Sequence, residues 1–441
     1  MSSPNASRKS LLYMNDQPGR YPQSWYAETA DTLPEQPALK GEHSYDIAVI
    51  GGGYSGLSCA LDLAERGYRV ALIEAHRVGW GASGRNGGQI GTGQRLEQDE
   101  LEDLVGDELA RAAWDIAEQA KARVYSLIEK FDIQCDLKPG ELHVNHRPRF
   151  DRHSKSYAEF VATCYGYNKI RYVEPDEISA MLGTHDYSGG TLDMGAGHLH
   201  PLNYALGLAR AALSKGVDIF ERSEVSRIEP GDRVVVHGES GKVSCRYLVL
   251  ACNGYLGDLE TRVAERVMPI NNFIIATEPL GQEVARSLIR DDVCVADSRF
   301  VINYYRLSAD HRLLFGGGEN YGYRFPADIK QFVRPHMLKI YPQLADTQID
   351  YGWGGTLAIT RKRLPHFERL AGNILSISGY SGSGVALATG AGAIAAEAID
   401  GVATRFDVMN KLPTPKFPGG SRWRSPLLVL AMIWFSLRDR F

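Results

Sequence analysis

The sequence predicts an α/β protein of two domains. One is built on a parallel sheet, and the other is an α+β unit around an antiparallel sheet. Three observations carry this. A complete strand–turn–helix–strand unit with a glycine turn occupies 45–74. A strand, a glycine turn and an alanine-rich helix return near the C-terminus, at 374–398. Between them, 262–350 holds strand candidates in close succession.

In chain order, residues 1–44 form a polar arm with five prolines and one aromatic patch, Trp25–Tyr26, read as mostly extended and draped over the body. Asp46–Ile50 (DIAVI) is a continuous apolar run, as in a strand buried on both faces of a parallel sheet. Leu57–Arg66 reads as a helix stopped by Gly67, and Arg69–Ile73 as the second strand. Residues 101–130 show helical periodicity, followed by short mixed segments to about 196. Leu202–Lys215 is a helix, and Val217–Phe220, Val234–Val236 and Tyr247–Leu250 are strands. Phe273–Thr277, Phe300–Tyr305 and Leu313–Gly316 follow as strands, then a helix at Ile329–Ile340 and a strand at Ile374–Ser378. No internal repeat interrupts this order.

Length and composition exclude several classes. The 441 residues suggest two or three domains. A net charge of −4 disfavours nucleic-acid binding, whose footprint is basic. Six cysteines without a C-x-x-C pair form neither a disulfide framework nor a zinc site and fit a reducing, cytoplasmic setting. Met1–Ser10 has no apolar core for a secretory signal. Pro426–Phe435 is far shorter than the roughly 20 residues of a spanning helix. Flanked by Arg422, Arg424, Arg438 and Arg440, the 426–437 stretch fits packing on the body or a second subunit, or peripheral membrane contact.

The strongest motif is Gly51-Gly52-Gly53-Tyr54-Ser55-Gly56, a G-x-G-x-x-G turn between a strand and a helix. Gly51 allows the tight turn, Gly53 lets a pyrophosphate reach the backbone, and Gly56 lets helix and strand pack closely. Glu74 ends the second strand, positioned to accept hydrogen bonds from an adenosine ribose. The unit is a Rossmann-type dinucleotide site. The next segment, Val78–Gln89, is rich in small residues and suits a backbone running beside a flat ring system, which favours FAD over NAD. Gly379-Tyr380-Ser381-Gly382-Ser383-Gly384 opens a third helix, whose positive N-terminus suits a reduced flavin.

These blocks resemble the D-amino-acid oxidase/glycine oxidase (DAO) superfamily of FAD enzymes. The likeness is carried by GGGYSGLSCALDLAERGYRVALIEAHRVGWGASGRNGGQ (51–89), GAGHLHPLNYA (195–205), YYRLSADHRLLFGGG (304–318) and FPGG…SLRDR (417–440). It implies FAD held by Gly51, Gly53, Tyr54, Ser55, Gly56, Glu74 and Ala75. Trp80, Gly81, Ala82, Ser83, Arg85, Asn86, Gly87, Gly88 and Gln89 follow, then Val225, Ala251 and Gly254, and last Gly379, Gly382, Ser383, Gly384 and Val385. Similar enzymes often read GYSGHG in the last turn, where this chain has Ser383.

The resemblance further implies oxidative deamination of a small-molecule amine, gamma-glutamylputrescine or a similar polyamine derivative, to aldehyde, ammonia and hydrogen peroxide. Oxygen would be the electron acceptor, within polyamine (putrescine) breakdown. Two alternatives stand beside it: oxidation of a cyclic or N-methyl amino acid such as pipecolate, and a flavin-binding protein without turnover. The substrate residues expected are Tyr304, Tyr305, Arg306, Trp353, Tyr380 and Ser383, with Arg306 resembling the carboxylate-binding arginine of related oxidases. Tyr321 and Tyr323 are further aromatic candidates. No catalytic residue is assigned. His198 and His200 lack a third ligand for a metal and read as structural, and Cys252 as a small residue near the adenosine. The expected layout is an arm at 1–44, an FAD-binding domain at 45–92, 197–256 and 351–410, a substrate domain at 93–196 and 257–350, and an apolar tail at 411–441.

Overall fold

A computed structural model describes residues 10–420, Tyr321 excepted. Every residue of strand Ile47–Ile50 is buried. Ile47 and Val49 join one apolar cluster, while Ala48 and Ile50 join another on the opposite face. That double burial explains the unbroken apolar run. The strand pairs in parallel with Val70–Ile73 and with Tyr247–Leu250. Asp218–Phe220 extends the six-stranded sheet at one edge, and Ile374–Ser378 with antiparallel His366–Ala371 closes the other.

Helices Tyr54–Glu65, Asp107–Lys130, Pro201–Ser214 and Gly384–Ile399 pack together over one face of this sheet. A four-stranded sheet covers the other face: Gly41–Ser44, Gly241–Cys245, Val234–Gly238 and Val225–Glu229. The arm therefore ends in a strand, parallel to Gly241–Cys245, and it also contains a short helix, Trp25–Thr29, capped by Ser24.

The second domain is a large, mostly antiparallel sheet. Its order is Ile349–Ile359, Met268–Thr277, Leu313–Asn320, Tyr304–Leu307, Cys294–Asp297, Lys138–Asn145, Gly189–His198 and Gln89–Ile90, with Ile170–Val173 paired beside Gly189–His198. Helices Pro175–Leu182, Gly281–Leu288 and Ile329–Ile340 cover one face with an apolar core. The opposite face looks toward the first domain.

Four expectations change. The helical stretch 101–130 is two helices, Gln98–Val105 and Asp107–Lys130, because Gly106 at φ +81° ends one and starts the other. The mixed region before 196 contains a full helix, Asp151–Tyr165. The strand expected at Phe300–Tyr305 is Tyr304–Leu307, since Asp297 ties the preceding loop by accepting from Arg299 N and Asn303 N. Ile349–Ile359 pairs with Met268–Thr277, so the chain returns to the first domain after residue 359 and not at 351. The 426–437 stretch lies outside the described residues. Among the described residues, no helix is long and apolar enough to cross a membrane.

Candidate active site

The glycine turn shows why glycine stands at each position. Gly51 has φ +112°, and a Cβ there would lie 2.6 Å from the Ala251 carbonyl oxygen. A Cβ on Gly53 would meet Ser83 Oγ at 2.7 Å, and one on Gly56 would overlap the Gly51 carbonyl at 1.8 Å. Gly56 thus serves helix–strand packing and lies behind the site. Glu74 closes the turn: its carboxylate accepts from Gly52 N at 2.7 Å and from His76 N at 2.9 Å. Burial pushes this carboxyl up to about 7, against the pull of those N–H donors.

A continuous cavity of about 2210 Å³ begins here. Gly51, Gly53, Tyr54, Ser55, Glu74, Ala75, Val225, Ala251 and Cys252 line its first end. Residues that sequence reasoning did not single out also contribute: Ser10–Tyr13 and Pro18 of the arm, and Arg222, Ser223, Glu224 and Ser226 around Val225.

The loop after the second strand forms the middle of the cavity, through Trp80, Gly81, Ala82, Ser83, Arg85, Asn86, Gly87 and Gln89. Its shape is fixed by its own side chains. Asn86 Nδ2 donates to the carbonyls of Ala82 and Ser83, and Asn86 Oδ1 accepts from Gly88 N at 2.7 Å. Ser83 Oγ accepts from Tyr54 N at 3.0 Å, tying the loop to the helix start. Arg85 is buried, donating to the Trp80 and Gly354 carbonyls and pairing with Asp16 of the arm at 2.8 Å.

Tyr380, Gly382, Ser383, Gly384 and Val385 face the same space, placing the N-terminus of helix Gly384–Ile399 on the cavity wall. Gly382 has φ +104°, and no atom lies within 4 Å of where its Cβ would be. Further along, small residues serve packing: a Cβ on Gly392 would lie 2.3 Å from the Ser55 carbonyl. The helix combines both uses, a wall at its start and close packing beyond it.

The far end lies under the large sheet. Strand Lys138–Asn145 alternates Leu142 and Val144 into the helix-covered core with Glu141, His143 and Asn145 toward the cavity. Thr191, Asp193, Arg95, Tyr304 and Tyr323 complete this end. Asp193 is saturated, accepting from Thr92 Oγ1 at 2.5 Å, Tyr167 hydroxyl at 2.6 Å and Gly195 N at 2.8 Å. The Glu141 carboxylate, by contrast, takes no hydrogen bond among the described residues. Burial and the nearby Asp193 push it up to about 7, while Arg95 and Lys121 pull it down. His143, open to the cavity, is pushed down to about 4 by desolvation and the nearby Arg95, so it is neutral near pH 7. The period-two alternation E-L-H-V-N was the available sequence signal for this wall.

Several expected site residues lie elsewhere. Arg306 does not line the cavity; its guanidinium donates to the carbonyls of Gly87 and Leu307 and to the Tyr26 hydroxyl, beneath the arm helix. Tyr305 points to the other face of the sheet, stacked on Phe315. Trp353 is buried against Tyr26 and donates to the Arg85 carbonyl at 3.0 Å. Gly88, Gly254 and Gly379 support the wall from behind, facing Leu199, Leu357 and Thr360. His198 bonds the Asp292 carbonyl, and His200 caps helix Pro201–Ser214 by accepting from Asn203 N, so the pair does not converge on a metal. Burial and the nearby Arg306 hold both near 3, hence neutral.

The chemistry of this cavity fits FAD. Its volume exceeds the roughly 300–1,000 Å³ of a single small-ligand pocket. Two helix N-termini open onto it, and the glycine cradle at Gly53 leaves no room for a side chain beside Ser83. Known proteins agree. A family model described as FAD dependent oxidoreductase (DAO) matches residues 46–398. The chain is 42% identical over 419 residues to the probable oxidoreductase OrdL of Rhizobium meliloti, covering 95% of this chain and 97% of that protein. It is 38% identical over 422 residues to gamma-glutamylputrescine oxidoreductase of Escherichia coli, covering 95% and 98%. The solved glycine oxidase of Geobacillus kaustophilus shares the fold, with a TM-score of 0.69 at 21% identity over 81% of this chain and 95% of that one. The chain belongs to the DAO family and is an FAD-dependent oxidoreductase.

Proposed function

We propose that this oxidoreductase deaminates a primary amine, gamma-glutamylputrescine or a similar polyamine derivative, with dioxygen as acceptor. The observation that carries the reading is the Glu141 carboxylate, unpartnered and facing the substrate end of a cavity that begins at the dinucleotide turn. The 38%-identical relative named for gamma-glutamylputrescine supports the same substrate class. In the overall reaction the CH–NH2 group becomes an imine, water converts it to aldehyde and ammonia, and dioxygen leaves as hydrogen peroxide.

FAD, when bound, supplies acceptance of two electrons with a hydride from the carbon bearing the amine. The residues that would hold it are Gly51, Gly53, Tyr54 and Ser55 of the turn, Glu74, the cavity-lining part of the Trp80–Gln89 loop and the Gly382–Val385 helix start. The chain's own task is to deliver the amine neutral. Alkyl amines titrate near ~10.4 and arrive as cations. Glu141 attracts that cation, and its proton affinity near neutrality suits it to take the proton. His143, neutral, adds no competing charge. Tyr304 lays its ring beside Gly87 and shapes the wall between the two ends.

The test is an amine panel with coupled peroxide detection on the FAD-loaded enzyme. Gamma-glutamylputrescine is expected to give the highest kcat/KM, with one ammonia per peroxide. Pipecolate or an N-methyl amino acid as best substrate would replace this reading with oxidation of a secondary amine.

A further inference from the structure

The arginines around the cavity are not alike. Arg85 is held by Asp16, and Arg299 by Asp186 and Asp297. Arg95 lines the cavity half-buried, yet among the described residues no hydrogen bond or ion pair engages its guanidinium. Burial disfavours its charge, and Glu141, Glu97 and Glu100 offset this only from beyond ion-pair contact. A half-buried arginine without a partner is costly unless a ligand completes it, and its planar fork matches a carboxylate.

Its place in the cavity indicates which part of a ligand it meets. Gln89 belongs to the loop that walls the cofactor region. Two residues on, a Cβ at Gly91 would lie 3.6 Å from Glu141 Oε2. The same cavity wall therefore carries an acid, Glu141 beside Gly91, and a cation, Arg95, four residues along the chain from Gly91.

We propose that Arg95 binds the distal carboxylate of the substrate, so that the enzyme selects amines with an anion at the far end. This rests on the amine-oxidase reading above, and it moves to Arg95 the role that sequence position had suggested for Arg306.

The experiment uses FAD-loaded full-length enzyme and two amine pairs, gamma-glutamylputrescine with putrescine and 6-aminohexanoate with hexylamine. Gamma-glutamyl-n-butylamide, which keeps the acidic head but has no oxidisable terminal amine, is titrated by calorimetry as a probe of binding alone. In Arg95→Gln the ratio of kcat/KM for the carboxylated over the plain amine is expected to fall at least tenfold, chiefly through KM. The amide should bind at least tenfold more weakly, and Arg95→Lys should recover part of both losses. Unchanged ratio and binding in Arg95→Gln overturn the proposal. So does a wild-type enzyme that neither binds the amide nor prefers carboxylated amines, whichever amine it oxidises. If wild type prefers 6-aminohexanoate, ignores gamma-glutamylputrescine, and loses that preference in Arg95→Gln, Arg95 stands as carboxylate reader and the gamma-glutamylputrescine reading falls.

Discussion

Glu141 and Asp193 face each other across paired strands, and their hydrogen bonds set them apart. Asp193 is satisfied three times over, so it is structural; Glu141 is open to the cavity. Because burial and Asp193 raise Glu141 to about 7, the folded state keeps a proton that the unfolded chain releases near the ordinary carboxylate value. The resulting loss of stability is absent below about pH 4.5, grows toward about 7, and is constant above. Glu141→Gln is therefore expected to raise Tm at pH 8 and leave it unchanged at pH 4. In catalysis the sign is opposite: kcat/KM for a cationic amine should fall as pH drops below about 7, and Glu141→Gln should lose that limb along with roughly 10²-fold in rate. A pH–rate profile checks this; a Gln variant retaining the limb would assign it to another group. Little of this was legible at single residues. The glycine fingerprint is local, so Gly51, Gly53 and Glu74 could be read directly, whereas Glu141 and Arg95 come to line one cavity only through strand pairing across sequence-distant segments.

At the scale of elements, the arm is the part that sequence reasoning understated. Its prolines suggested an extended drape, but segments of it are built into the cofactor end. Asp16 pairs with buried Arg85, Gly19 N donates to His76 Nδ1, Trp80 Nε1 donates to the Arg20 carbonyl, and Tyr21 donates to the Val78 carbonyl. The same arm explains why Arg306 lies off the main cavity. A strand-end position shows which face a side chain takes but not what covers that face, and here helix Trp25–Thr29 covers it. Asp16→Ala leaves Arg85 charged and buried, so a loss of about 3 kcal/mol is expected. Urea denaturation should show the lowered midpoint, with weaker FAD retention on gel filtration. An unchanged midpoint would mean that the carbonyls and the Trp80 face hold Arg85 without the arm.

At the scale of the molecule, two sheets of different kind share one cavity. The parallel sheet and its glycine turn were legible because adjacent segments build them. The crossing back after residue 359 was not, because Ile349–Ile359 gains its place only by pairing with Met268–Thr277, some 80 residues earlier. This arrangement puts the glycine-turn end and the polar end at Glu141 on one continuous wall, and the proposed amine oxidation depends on it. Anaerobic mixing of the FAD-loaded enzyme with gamma-glutamylputrescine, followed by the flavin absorbance, tests it most directly. The account predicts loss of the oxidised-flavin band with one aldehyde and one ammonia per flavin, and recovery of the band with one hydrogen peroxide when air is admitted. A band that stays oxidised through saturating amine would contradict it.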